Sequence, residues 1–260
     1  MVSLVSHGVD TLFVNAHFTD GNGSAVKCDL SETLATQLER WKREAQEVGE
    51  AIASSWAFNG KQLLVYPNGG GRGHWQWLLR SDDLTVCISR GKWNGGIAQV
   101  RLASEYLWKS PLLMDAVVEV HSFLYEVFER EVLLQPSEVH LCADMAGWED
   151  IADLDYRRLF VSRSRKRADH TEASGVPEGF KAGDYSFGLV RTGLTFSAHG
   201  SLSCVIYDKT REIKRSDKEW FADLWKHHAW DGEGQVWRVE CRFKREALHE
   251  LQQAGVFHGI

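Results

Sequence analysis

The segment from 61 to 104 constrains the fold more than any other part of the chain. Four short apolar runs (KQLLVYP, HWQWLLRS, LTVCISRG and IAQVRLAS) are parted by loops that include the glycine clusters NGGGRG at 68–73 and NGG at 94–96. Strands joined by short glycine turns pair with their sequence neighbours. Parallel pairs would need crossovers of a dozen or more residues, which these loops cannot supply. The expectation here is an antiparallel meander rather than a chain of βαβ units.

Around that meander the chain alternates between strand and helix signals. LFVNAHF and AVKC, joined by DGNGS, read as a short strand pair. Asp29 and Glu32 have the spacing of an N-cap and its partner, and Leu34, Leu38, Trp41, Ala45 and Val48 recur at helical intervals over 30–53. Ser110-Pro111 opens a second, largely apolar helix over 110–131. The strand SEVHLCADM follows, then a polar excursion over 153–185. After it come YSFGLVRTG, LTFSAHG and LSCVIYDK as strands, a helix over 217–228, the strand VWRVECRF and a helix beginning at REALHELQ. Strands, helix, strand, then strands, helix, strand reads as one motif used twice. The expected fold is α+β, with antiparallel sheets and packed helices in two similar halves, 1–134 and 135–260.

Composition narrows the function classes. With 43% hydrophobic and 25% charged residues among 260, the chain is built to bury a core, which excludes a disordered or fibrous protein. It has neither the start of a signal peptide nor a run of roughly 20 apolar residues, so a soluble, cytoplasmic protein with no membrane partner is expected. Its five cysteines are far apart and never form CxxC, so they read as small hydrophobes rather than disulfides or a zinc site. His227-His228 are adjacent and diverge on a helix, so they read as a helix end. The Trp-rich patches (HWQWLL, YLW, EWFADLW, VWRV) read as core before they read as stacking surfaces. NGGGRG lacks the P-loop pattern and any following helix, so it reads as a hairpin connection.

Two features carry chemistry. YRRLFVSRSRKR at 156–167 places Arg157, Arg158, Arg163, Arg165, Lys166 and Arg167 within twelve residues of a chain whose net charge is -6. Such a cluster suits a phosphate-contacting arm, or else a solvated face. The second feature is a set of polar strand faces. Alternation puts Arg238, Glu240 and Arg242 on one side of VWRVECRF, and His140 and Asp144 on one side of VHLCADM, with Val139, Leu141 and Ala143 facing the core. Tyr207 and Lys209 share a side at the end of LSCVIYDK. If these strands are neighbours, the acids and imidazole suit a divalent ion, Lys209 a developing charge, and Tyr207 attack on phosphorus. A solvent-facing side decorated with ion pairs is the other reading.

These residues also carry a resemblance. IYDKTRE (206–212) and VWRVECRFKREAL (236–248) resemble the two late motifs of the replication initiation factor family, the rolling-circle initiators of plasmids and integrative elements. HLCAD (140–144) stands where that family has two aspartates four apart, keeping Asp144 and replacing the first by His140. LTFSAHGSLSCVIYDK is similar to the hairpin that leads into its tyrosine motif. The resemblance spans roughly 135–250 and lacks the His-hydrophobic-His motif of the wider relaxase group. It implies an endonuclease that nicks single-stranded or hairpin origin DNA through a tyrosine, stays on the 5′ phosphate and frees a 3′ hydroxyl. Carried over, Tyr207 is the nucleophile, with Tyr185 as contender and Lys209 beside it. Asp144, Glu240, His140 and Glu212 become ligands for Mg²⁺ or Mn²⁺. Arg238 and Arg242 join the basic arm as DNA contacts, and a host helicase and a second copy are further implied partners. The alternative it leaves is a DNA-binding or regulatory relative without catalysis.

Overall fold

The computed structural model describes residues 2–70, 74–91, 96–148, 151, 167–173, 189–197, 200–228 and 230–255, with backbone alone for 167–173 and 189–191. The chain forms an α+β protein with two compact units, Val9–Val139 with Leu248–Ile260, and Met1–Gly8 with His140–Ala247. Strands β1 (Ser3–Thr19) and β8 (Val132–Ala146) are long enough to supply residues to both.

The first unit is the meander. After β1 and the two-residue β2 (Ala25–Val26) comes helix α1 (Glu32–Val48). Its N-cap is Ser31, whose hydroxyl accepts from the Leu34 amide at 3.4 Å, so the start lies two residues beyond the expected Asp29. It stops at Gly49, whose φ of 82° favours glycine. Leu34, Leu38, Trp41 and Ala45 are buried as their spacing predicts, whereas Val48 in the last turn is exposed. Strand β3 (Ile52–Phe58) follows where no strand was expected. Then come β4 (Lys61–Val65), β5 (Trp77–Arg80), β6 (Leu84–Ile88) and β7 (Ala98–Leu102). All these pairings are antiparallel, and the strand order is β3-β4-β5-β6-β7-β1-β8.

Register divides this sheet into two faces. Val65, Leu79, Val86, Val100 and Val14 line up across five strands and are all buried. They belong to one core with α1, α2 (Ser104–Lys109) and α3 (Leu113–Phe128). On the opposite face lie the rows Leu64–Arg80–Thr85–Arg101–Phe13 and Leu78–Cys87–Gln99–Asn15. Ser110 does not cap α3. It ends α2, with its hydroxyl donating to the Tyr106 carbonyl at 2.9 Å, because a residue held extended by the following proline stops a helix as readily as it starts one.

The second unit contains β9 (Arg167–Ala173), β10 (Leu189–Phe196) and β11 (Leu202–Asp208). Helices α4 (Lys209–Ser216) and α5 (Trp220–His227) come next, then β12 (Val236–Lys244) and the start of α6 (Arg245–Gln253). Its strand order is β1-β8-β12-β11-β10-β9. Leu194, Phe196, Ile206 and Trp237 form a small apolar cluster with Ile151. Helix α4 begins where the strand was expected to run on, because Asp208 accepts from the Arg211 amide at 3.1 Å and caps it. The face of β8 expected inward is divided: Val139 packs against the core of the first unit, whereas Leu141 is 41% exposed and Cys142, Asp144 and Ala146 of the opposite face are buried. All five cysteines are free, and only Cys142 is fully buried. Among the described residues no helix is long and apolar enough to cross a membrane.

Candidate active site

Strands β8, β12 and β11 lie side by side, so the three polar segments singled out in the sequence do meet. The β11–β12 register pairs Tyr207 with Arg238, Val205 with Glu240 and Ser203 with Arg242, which puts these six side chains on one face. Cys204 opposite Cys241, and Ile206 opposite Val239, take the other face.

On the polar face the charged groups form two layers. The inner one is closed. Arg238 grips Asp144 with two parallel bonds, Nε to Oδ1 at 2.6 Å and Nη2 to Oδ2 at 2.8 Å. Ser6 Oγ donates to Oδ2 at 2.7 Å and Trp225 Nε1 to the same oxygen at 2.9 Å. Both members of the pair are 0% exposed. Burial by itself would lower the pKa of Arg238, but the adjoining Asp144 carboxylate raises it well above its ordinary value. The Phe221 ring lies under this layer, with the Arg238 guanidinium 4.6 Å and the Lys209 ammonium 4.5 Å from its centroid. Lys209 is 1% exposed, bonded to Glu212, and 5.7 Å from the Tyr207 ring.

The outer layer centres on Glu240, which is 3% exposed. His140 Nδ1 lies 3.1 Å from Oε1, and Arg242 Nε donates to the same oxygen at 2.7 Å. Tyr207 Oη donates to Oε2 at 3.1 Å. Burial opposes the charge of Glu240, yet His140 and Arg242 outweigh it and hold its pKa at about 2. Tyr207 and His140 are half-buried, and Arg242 is 40% exposed, so this layer reaches the surface where the inner one does not. A guanidinium has five N–H donors, which leaves Arg242 donors to offer a phosphate beyond the one given to Glu240.

The structure therefore separates the sequence-predicted site residues. Tyr207, Glu240, His140 and Arg242 come together. Arg238, expected to face DNA beside Arg242, is buried against Asp144 and out of reach of any ligand. Glu212 lies on α4 with its carboxylate shared between Lys209 and Lys218. Among the described residues no three His, Cys, Asp or Glu side chains are grouped to hold a metal ion. Asp144, with four donors on its two oxygens, does not fit as a ligand while Arg238 stays in place. Arg157, Arg158, Arg163, Arg165, Lys166 and Tyr185 lie outside the described residues, and Arg167 opens β9.

Sequence reasoning missed Ser6, Phe221 and Trp225. The last two form an i, i+4 aromatic pair on α5, a signal that reads equally well as ordinary core. Ser6 carries no signal at all.

No protein-family model matches this sequence, and no curated protein does. Among solved structures the chain is similar to a rolling circle replication initiator protein from Geobacillus stearothermophilus. The identity is 14%, the match covers 97% of this chain and 78% of that one, and the TM-score is 0.44.

Proposed function

We propose that this chain initiates rolling-circle replication, binding origin DNA and nicking one strand through Tyr207. The observation that carries this reading is the hydrogen bond from the Tyr207 phenol to a carboxylate locked in place by His140 and Arg242. Tyr207 Oη attacks phosphorus, the bond from phosphorus to the 3′ oxygen breaks, and the strand stays on the tyrosine through its 5′ phosphate. Glu240 takes the phenolic proton as the new bond forms and passes it to the leaving 3′ oxygen. A carboxylate with a pKa near 2 is a weak base at rest, so this transfer proceeds only as the attacking phenol becomes strongly acidic in the transition state. Arg242 lies at the surface beside the phenol, where it can contact the phosphate as charge develops. Lys209 favours the phenolate through the ring without touching substrate. Running the steps backwards rejoins the strand.

Mg²⁺ or Mn²⁺ would supply charge neutralisation at the phosphate. To be held by Asp144 or Glu240 it would have to displace Arg238 or Arg242, so none of these steps depends on it. The basic residues of 156–167 supply the backbone contacts of this reading, with a host helicase acting after the nick.

A second reading has its own observation. The closure of Asp144 by Arg238, Ser6 and Trp225 suits a relative that binds DNA without cutting it. Incubation with supercoiled origin DNA, with Mn²⁺, Mg²⁺ or a chelator, separates the two. A covalent protein–DNA adduct that disappears in Tyr207→Phe supports nicking by this residue. An undiminished adduct in that variant overturns the assignment. Salt-sensitive binding with no adduct under any condition supports the second reading.

A further inference from the structure

The open face of the meander holds a cleft that the tyrosine site does not use. It has a volume of about 300 Å³ and lies between Gly69 and Gly70, which follow β4, and the strands β5, β6, β7 and β1. This is at the small end of ligand pockets. Its polar wall is one row of the sheet register, Arg80–Thr85–Arg101–Phe13, in which two arginines flank a threonine hydroxyl on the intervening strand. Two strand spacings put the arginines roughly 10 Å apart. Gln99 supplies an amide from the next row.

Three properties of the cleft point to a ligand. No described residue lining it is acidic, although the chain as a whole carries a net charge of -6. Arg80 and Arg101 are exposed and lie over aromatic rings, Arg80 5.2 Å from the centroid of Tyr66 and Arg101 5.4 Å from that of Phe13. Such packing holds a guanidinium in place without neutralising it. The wall is also shaped by Gly70. A side-chain carbon on Gly70 would sit 2.3 Å from the Cys87 sulfur, so the backbone lies flat on the sheet only because the residue is glycine.

We infer that this cleft seats a nucleotide of single-stranded DNA, the phosphate between Arg80 and Arg101 over Thr85 and the base against Phe13 and Gln99. The inference rests on the reading that the chain handles DNA, and it adds a second contact surface in the unit that lacks Tyr207. Aromatic and arginine platforms on open sheet faces bind single strands with little sequence preference, since every base has a π face. The contact is a grip that strengthens binding and takes no part in the chemistry.

The test uses the full chain and a fluorescent oligo-dT, with polarisation measured across a salt series and adduct formation at an origin oligonucleotide measured in parallel. In R80Q/R101Q the affinity falls about tenfold, and the slope of log affinity against log salt shrinks by about 0.7, the value for one phosphate neutralised on a single strand. Thr85→Glu, which places a carboxylate between the arginines, gives a loss at least as large, and R80K/R101K restores most of the salt slope. Circular dichroism melting identifies any variant that has not folded, and the remaining variants then decide. Unchanged oligo-dT affinity and slope in both R80Q/R101Q and Thr85→Glu would overturn the cleft proposal, even with the Tyr207 adduct intact. An adduct that never forms, alongside the loss in R80Q/R101Q, would sink the nicking reading and leave the cleft standing. Free dTMP binding as tightly as oligo-dT would also overturn it, by showing a mononucleotide pocket instead of a strand contact.

Discussion

Asp144 and Glu240 are both buried carboxylates on the polar face of neighbouring strands, and each is paired with an arginine of β12. Their surroundings make them different objects. Asp144 meets a fully buried guanidinium, a hydroxyl and an indole N–H, all fixed, and has no route to solvent. Glu240 meets an arginine and a histidine at the rim and a half-buried phenol. A charge sealed on every side is architecture, because its neighbours cannot change without unfolding. A charge sealed on one side and open on the other can exchange a proton or meet a ligand. The contrast comes from what covers each group, since the residue types are nearly the same.

Four measurements put that contrast to the test. The largest effect belongs to Arg238→Met, which leaves the Asp144 charge buried and unpaired. Unfolding free energy in urea falls by about 3–5 kcal/mol. In Asp144→Leu/Arg238→Met, where the whole pair becomes apolar, stability returns to near that of the unaltered chain. If the double variant is as unstable as the single one, the sealed pair is more than architecture.

Next comes acid. The pKa of Glu240 is lowered from 4.5 to about 2 on folding, so the unfolded chain binds this proton more readily than the folded one. The stabilisation it gives is complete above pH 4.5 and is lost as the pH falls toward 2. It amounts to about 3 kcal/mol. Urea midpoints between pH 6 and pH 2.5 should fall more steeply for the unaltered chain than for Glu240→Gln. Equal slopes would show that the outer carboxylate is not held in this way.

Third, Glu240→Gln keeps the shape of the outer layer but removes the proton acceptor. Adduct formation slows about a hundredfold, within the usual range for a lost general base, while the fold is retained. A rate within a factor of two of the unaltered chain would assign the phenol's proton to another acceptor. The smallest effect is at Leu141. Its outward side chain on β8 makes Leu141→Gln a change of less than about 0.5 kcal/mol. A loss of several kcal/mol would place Leu141 in a core and reverse the face assignment of that strand.

Different parts of the molecule were legible in the sequence to different degrees. The meander over 61–104 was readable because glycine turns and short apolar runs are local signals, and local pairing then follows. The α1 stripe was readable for the same reason. Strand β3 was not: Gly49 before it and Asn59-Gly60 after it are turn signals, but Ser54 takes a buried position and breaks the apolar alternation of IASSWAF. Alternation placed Tyr207, His140, Asp144, Arg238, Glu240 and Arg242 on polar faces, and the strand order brought those faces together, whereas Lys209 opens a helix and lies outside that rule. It could not rank them by depth. Strand β12 has apolar and charged residues on opposite sides, so either side could have been the buried one.

Period-2 alternation and turn chemistry determined which side chains share a face, because both depend only on neighbours along the chain. Which face was covered depended on α5, whose Phe221 and Trp225 come from a helix that no local rule places over Arg238 and Asp144. Burial is set by elements distant in sequence. The difference between a sealed ion pair and an open phenol–carboxylate pair was therefore decided only by tertiary structure.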